Sequence, residues 1–288
     1  MARRFVPLLV FVLGALSVVA MGQPRTRDTR AVRVATQTTD VERTDVERGA
    51  RTSTNDPSEP SDRAEEVETP SEPRVGPSVG PSRSRSVGVT NRGRLNHAVR
   101  VEPSPSLRVR NPSQAYGTEE LVALITWAAD EVARQHPGSS LNVGDLSRER
   151  GGRIRPHRSH RVGRDADLGF YLVDAQSGAP AEARHFVALP RGAKGTDRQG
   201  GSFAFDDARN WELVAKLVAD GDARVQHLFV ARHLKDRLLA EGRRRRAPAS
   251  VIARAERVMA QPTGHPHANH FHLRIYCSPS IRPACKDQ

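Results

Sequence analysis

The chain has 288 residues, a formal charge of +12 and only 5% aromatic residues. That charge suits an anionic polymer as partner, and a cell wall with free carboxylates is one. Nucleic acid is disfavoured, because no helix-turn-helix pattern, paired-cysteine finger or run of stacking aromatics accompanies the arginines; many of those lie in low-complexity sequence or in the run at 243–246.

Residues 1–22 have the layout of an export signal. Arg3 and Arg4 supply the positive start, residues 5–20 the apolar run, and Val18-Val-Ala20 a small-residue cleavage site. The run is short for a bilayer, which asks for roughly 20 residues, and Pro7 lies inside it. Removal is therefore favoured over retention, and a membrane contact is expected only through an uncleaved signal. The expected location is the periplasm. Residues 23–115 are rich in Arg, Ser, Pro, Thr and acids and poor in large apolar residues. Such a stretch cannot bury enough surface to offset the entropy of ordering it, so a disordered linker is expected. The folded domain is expected over residues 116–288.

Thr118 followed by Glu119 and Glu120 opens a helix with a capping hydroxyl and acids at its positive end. Leu121, Leu124, Ile125 and Ala128 continue it as an apolar stripe up to His136-Pro137-Gly138. A short strand is expected at 141–143, a turn at Gly151-Gly152, and strands at 167–173 and 185–189. Trp211, Val214, Leu217 and Val218 mark a second amphipathic helix. A buried strand at 225–230 and helices at 232–241 and 248–260 follow, and a histidine-rich strand closes the core. Strands and helices alternate without a regular βαβ rhythm, so the fold class is α+β.

Six of the eleven histidines fall in or beside two stretches, His157-Arg-Ser-His160-Arg-Val-Gly163-Arg-Asp165-Ala-Asp167 and His265-Pro-His267-Ala-Asn-His270-Phe-His272. From His270 onward polar and apolar residues alternate, which is a strand signal. Phe271, Leu273 and Ile275 face a core, and His270, His272, Arg274 and Tyr276 face away from it. Residues two apart on a strand project from one face about 6.5–7 Å apart. His160 and Asp167 are seven apart, about 10.5 Å along a helix, too far to share an ion. A turn at Gly163 leading into a strand can bring them together. With His272 they make two imidazoles and a carboxylate with one position left for water, a set that suits Zn2+ and hydrolysis. His270 shares a face with His272 and is the candidate general base or oxyanion partner. His157 and His267 could add hydrogen bonds to substrate, and Asp165 could orient a ligand imidazole. Neither motif is specific alone; the reading rests on their coincidence.

Cys277 and Cys285 are the two cysteines. A close pair in an exported chain reads as a disulfide, contributing about 2–3 kcal/mol by restricting the unfolded state. Trp127 and Trp211 sit on apolar helical stripes and read as core.

The ordered string Gly151-Gly152, His157-x-x-His160-x-x-Gly163-x-Asp165-x-Asp167, His267-x-x-His270-Phe271-His272-Leu-Arg274 and Cys277 resembles the penicillin-insensitive murein endopeptidase family. Trp211-Glu-Leu-Val and Val225-Gln226-His-Leu-Phe229-Val230 resemble its middle segment. The resemblance covers residues 116–285. It implies a small α+β fold with a central antiparallel sheet carrying zinc, shared with lysostaphin, the zinc D-alanyl-D-alanine peptidases and the hedgehog amino-terminal domain. It also implies His160, Asp167 and His272 as zinc ligands, with His270, His157 and His267 lining the active site. The implied reaction is hydrolysis of the D-alanyl–meso-diaminopimelyl cross-link of peptidoglycan without a serine nucleophile, hence indifference to penicillin. Arg274, Arg161 or Arg164 could bind the substrate's carboxylates. A D,D-carboxypeptidase and a non-catalytic wall-binding module are the alternatives. The long basic linker and the arginines at 153, 155 and 158 are not explained by the resemblance.

Overall fold

The computed structural model describes residues 76–219 and 221–287. The expected export signal and the linker up to residue 75 lie outside these residues. The fold begins earlier than the expected boundary at 116. Residues assigned to the linker form β1 (Arg85–Val89), β2 (Arg92–Asn96), β3 (Val99–Arg100) and β4 (Leu107–Val109). The stretch has few apolar residues, but Leu95, Val101 and Leu107 are each 1% exposed. Position outweighs number here, because each fills a gap in a core built by later elements.

β1 and β2 form an antiparallel hairpin, and β3 pairs with β5 (Tyr116–Gly117). α1 (Glu119–Gln135) starts at Thr118, whose Oγ1 accepts the Leu121 N–H at 3.4 Å, with Glu119 and Glu120 in the first turn. Its face of Leu121, Leu124, Ile125, Ala128 and Val132 is buried.

β6 (Leu141–Val143), β7 (Asp165–Gly169) and β8 (Leu172–Asp174) follow. The single strand expected at 167–173 is thus two, broken at Phe170 and Tyr171, which turn their rings into the core. β9 (Pro180–Ala181), β10 (Lys194–Thr196) and β11 (Ser202–Phe205) join β8 in a four-stranded antiparallel sheet. The strand expected at 185–189 is absent. Val187 and Leu189 are buried as their apolar character demands, but Leu189 N–H donates to the Ala268 carbonyl at 2.7 Å and the segment stays a loop.

α2 (Asp207–Leu217), β12 (Val225–Phe229), α3 (Arg232–Arg244), α4 (Ala249–Val258), β13 (Met259–Ala260) and β14 (His270–Ile275) complete the order. The central sheet runs β13-β12-β14-β7-β6-β4. Its four inner strands are antiparallel, as expected, while the edge strands β13 and β4 run parallel to their neighbours. Phe271, Leu273 and Ile275 of β14 enter the core together with Ala166 and Leu168 of β7. The histidines and the acids of those two strands therefore share the opposite face.

Residues 144–164 fold back over that face. Gly151 and Gly163 hold φ of +74°, and a Cβ there would lie 2.3 Å from the Arg161 carbonyl and 2.6 Å from Leu95 Cδ2. The histidine loop thus rests directly on the β1–β2 hairpin. The C-terminal tail secures the hairpin in turn: Gly88 N–H donates to Ala284 O at 2.8 Å and Lys286 N–H to Gly88 O at 3.0 Å. Cys277 and Cys285 are joined in a disulfide. Among the described residues no helix is long and apolar enough to cross a membrane.

Candidate metal centre

Strand register delivers the first two groups. His272 on β14 pairs directly with Asp167 on β7, and His272 Nδ1 lies 3.0 Å from Asp167 Oδ1. The third arrives from the loop: His160, held at φ 63°, brings Nε2 to 3.2 Å from His272 Nδ1 and 3.3 Å from Asp167 Oδ1. His160 is 0%, Asp167 4% and His272 7% exposed, so water does not dilute their interaction.

The outer hydrogen bonds fix which nitrogens carry protons. His160 Nδ1 is 2.8 Å from the Leu146 carbonyl, which can only accept, so Nδ1–H donates and Nε2 keeps its lone pair. His272 Nε2 donates to Asp165 Oδ1 at 3.0 Å, which leaves its Nδ1 with the lone pair. Two lone pairs and a carboxylate oxygen therefore converge on one buried point. Such an arrangement asks for a cation, and the carbonyl and carboxylate behind the imidazoles are the supports that metal-binding histidines use. Asp165 thus lies directly behind the His272 ring.

A second histidine of the loop extends the cluster. His157 Nε2 is 3.0 Å from Asp145 Oδ2, and its Nδ1 is 3.7 Å from Asp167 Oδ2. His157, His160 and Asp167 form a group whose ligand atoms all lie within 4.8 Å, able to hold a metal ion. His157 thus borders both this group and the cleft. His270 Nε2 lies 3.4 Å from Asp167 Oδ1, and its Nδ1 is 2.7 Å from Asn269 Oδ1.

The ionisation of the cluster follows from these contacts. Burial alone would raise Asp167, but its contacts with the surrounding imidazoles of His160, His270 and His272 hold it well below the usual carboxylate range. Asp165 is likewise lowered: burial is outweighed by the His272 bond and the Arg274 charge. Burial presses His272 downward, yet the bonds to Asp165 and Asp167 raise it to about 9.

A family model described as penicillin-insensitive murein endopeptidase matches residues 86–288. The chain belongs to that family. Comparison with curated proteins gave no match. The family match starts at the first residues of β1, in agreement with the early start of the fold. Membership makes the protein a peptidase acting on peptidoglycan.

The histidine and aspartate cluster of the peptidase opens into a cleft of about 410 Å³ bordered by His157, Asp167, His270, Arg110, Asn269 and Phe186, with Asp145 beside His157. Phe186 stacks on His270, ring centres 5.2 Å apart. His267, at φ 47°, stands 5.1 Å from His270 and 5.7 Å from His272 between ring centres. Burial lowers His267 to about 4, so it is a neutral imidazole near pH 7.

The arginines expected to bind substrate do not border this cleft. Arg164 is 1% exposed and donates to the Ile275 and Lys286 carbonyls and to Asp287, locking the tail. It shares strand parity with Ala166 and Leu168, so it enters the protein while Asp165 and Asp167 leave it. Arg274 Nε donates to Asp165 at 2.7 Å and is tied up in the support of His272. Arg161 places its carbonyl on Gly152 N–H and has a buried Nε. Asp145, Arg110, Asn269 and Phe186 were missed. Asp145 had a faint signal, an acid two residues after the strand expected at 141–143; Phe186 fell inside the strand expected at 185–189, which the structure leaves as a loop.

Proposed function

We propose that this peptidase is a zinc-dependent, periplasmic D,D-endopeptidase that cuts the D-alanyl–meso-diaminopimelyl cross-link of peptidoglycan. One observation carries the reading: His160 Nε2, His272 Nδ1 and Asp167 Oδ1 stand 3.0–3.3 Å apart with their lone pairs turned inward. Ligands about 2.0–2.1 Å from a tetrahedral zinc lie roughly 3.3–3.4 Å from one another. The mixed nitrogen and oxygen donors are those zinc takes, and calcium or magnesium would favour oxygen alone. Export is supported by the layout of residues 1–22.

When bound, zinc would acidify a water molecule and polarise the scissile carbonyl. His270 then has the proton work. Its Nδ1–H is held by Asn269, so the free lone pair is on Nε2, facing Asp167 and the cleft. That nitrogen can take a proton from the attacking water and pass it to the leaving nitrogen. His157, raised by its bond to Asp145 against the effect of burial, can donate to oxygen as negative charge develops there. His267 stays neutral and offers a further hydrogen bond.

The test is a digest of purified dimeric muropeptides by wild type, chelator-treated protein and His272→Ala. Wild type is expected to convert dimers to monomers, and the other two to leave them intact. Loss of one alanine from monomers with dimers untouched would instead assign the carboxypeptidase reaction. A zinc-loaded wild type that binds sacculi and releases nothing would sink the enzymatic reading.

A further inference from the structure

The cleft contains one arginine without an acidic partner. Arg110 follows β4, and its N–H donates to the Val143 carbonyl at 2.9 Å, continuing the β4–β6 ladder past the end of the strand. Two residues earlier on the same side, Arg108 has its acid, Glu182. Arg110 has none among the described residues. Its guanidinium lies 4.4 Å from the centre of the Phe186 ring, and Nη2 is 3.3 Å from His185 Nδ1. Phe186 in turn stacks on His270. The cation is thus steadied by an aromatic face and an imidazole, neither of which cancels its charge, beside the residues that border the metal centre.

We propose that Arg110 binds the substrate carboxylate adjacent to the scissile nitrogen. The inference rests on the proposed reaction. In a D-alanyl cross-link the alanine carbonyl is consumed in the amide, so the acyl side brings no charge to the bond. The leaving side carries a carboxylate on the carbon that bears the scissile nitrogen. A guanidinium offers two parallel N–H donors to a carboxylate, which fixes orientation as well as charge. Held by Arg110 at one wall, the leaving residue would keep its nitrogen near His270 Nε2, the atom that must protonate it.

The test uses two synthetic cross-linked dimers, identical except that this carboxylate is free in one and a carboxamide in the other. Zinc-loaded wild type, Arg110→Gln and Arg110→Lys are compared, with metal content measured in each. A charge-assisted pair predicts that wild type favours the acid dimer by about 10–100-fold in kcat/KM. Arg110→Gln should lose most of that preference at full metal occupancy, falling far less on the amide dimer, and Arg110→Lys should keep part of it. A purely structural role for Arg110 would lower both rates alike and overturn the proposal, as would an unchanged preference in Arg110→Gln. A wild type inert on both dimers would instead overturn the reaction, and the assignment with it.

Discussion

Asp165 Oδ1 accepts from both His272 Nε2, at 3.0 Å, and Arg274 Nε, at 2.7 Å. One carboxylate oxygen therefore sets the tautomer of the His272 imidazole and is itself held in place by a guanidinium. Asp165→Ala should lower zinc affinity about 10–100-fold, the usual cost of removing such a support. Competition with a chromogenic chelator measures it, and equal affinities in variant and wild type would show that His272 needs no orienting partner.

His270 and His272 are two residues apart on one strand face, yet their substitutions should look different. His272→Ala should lose both metal and activity. His270→Ala should retain stoichiometric zinc while kcat falls about 10²–10⁴-fold, the range for a general acid–base group. Metal analysis beside steady-state kinetics separates the two. Loss of zinc from His270→Ala would make it a ligand rather than the proton carrier.

The pH dependence of stability should reverse on loading with metal. His272 titrates near 9 in the metal-free fold, above the ordinary 6.5. Its contribution is therefore complete below pH 6.5 and is lost as pH rises through 9. Zinc has to displace that proton, so its affinity rises across the same interval. The Tm of chelated protein is expected to fall between pH 6.5 and 9, and the gain in Tm from added zinc to grow. A gain that stays flat or shrinks would contradict the proton-for-metal exchange.

The Cys277–Cys285 bond closes a loop whose sequence separation is 8. Replacing both cysteines with serine should cost about 2–3 kcal/mol, read as a lower urea midpoint. The loss should extend to the histidine loop, because the same tail holds Gly88 of the hairpin and the Arg164 side chain. Hydrogen exchange should quicken across β1 and β2. Unchanged protection there would mean the hairpin stands without the tail.

The parts of the fold that could be read in advance are those written in local periodicity. The alternation from His270 to Ile275 put Phe271, Leu273 and Ile275 inside, and the stripe from Leu121 to Ala128 gave the buried face of α1. The approach of His160 to Asp167, 3.3 Å in the structure, was legible because a helix would hold them too far apart and Gly163 permits a turn. Arg164 was misplaced although strand parity would have put it with Ala166 and Leu168. Asp145, Phe186 and Arg110 come to the cleft from loops and strand ends, where tertiary packing and not local pattern decides direction. β1 to β4 were hidden because their burial depends on later elements, notably the loop that rests on Leu95.

His160 and His267 occupy the left-handed backbone region, with φ of 63° and 47°. An L-residue there gives up about 1 kcal/mol that glycine would not. At these two positions durability and turnover pull against each other: His160→Gly or His267→Gly would relax the chain and delete an imidazole in the same stroke. A selection for heat tolerance alone would therefore drift towards folded but inactive protein, and any stabilisation programme should leave both positions untouched.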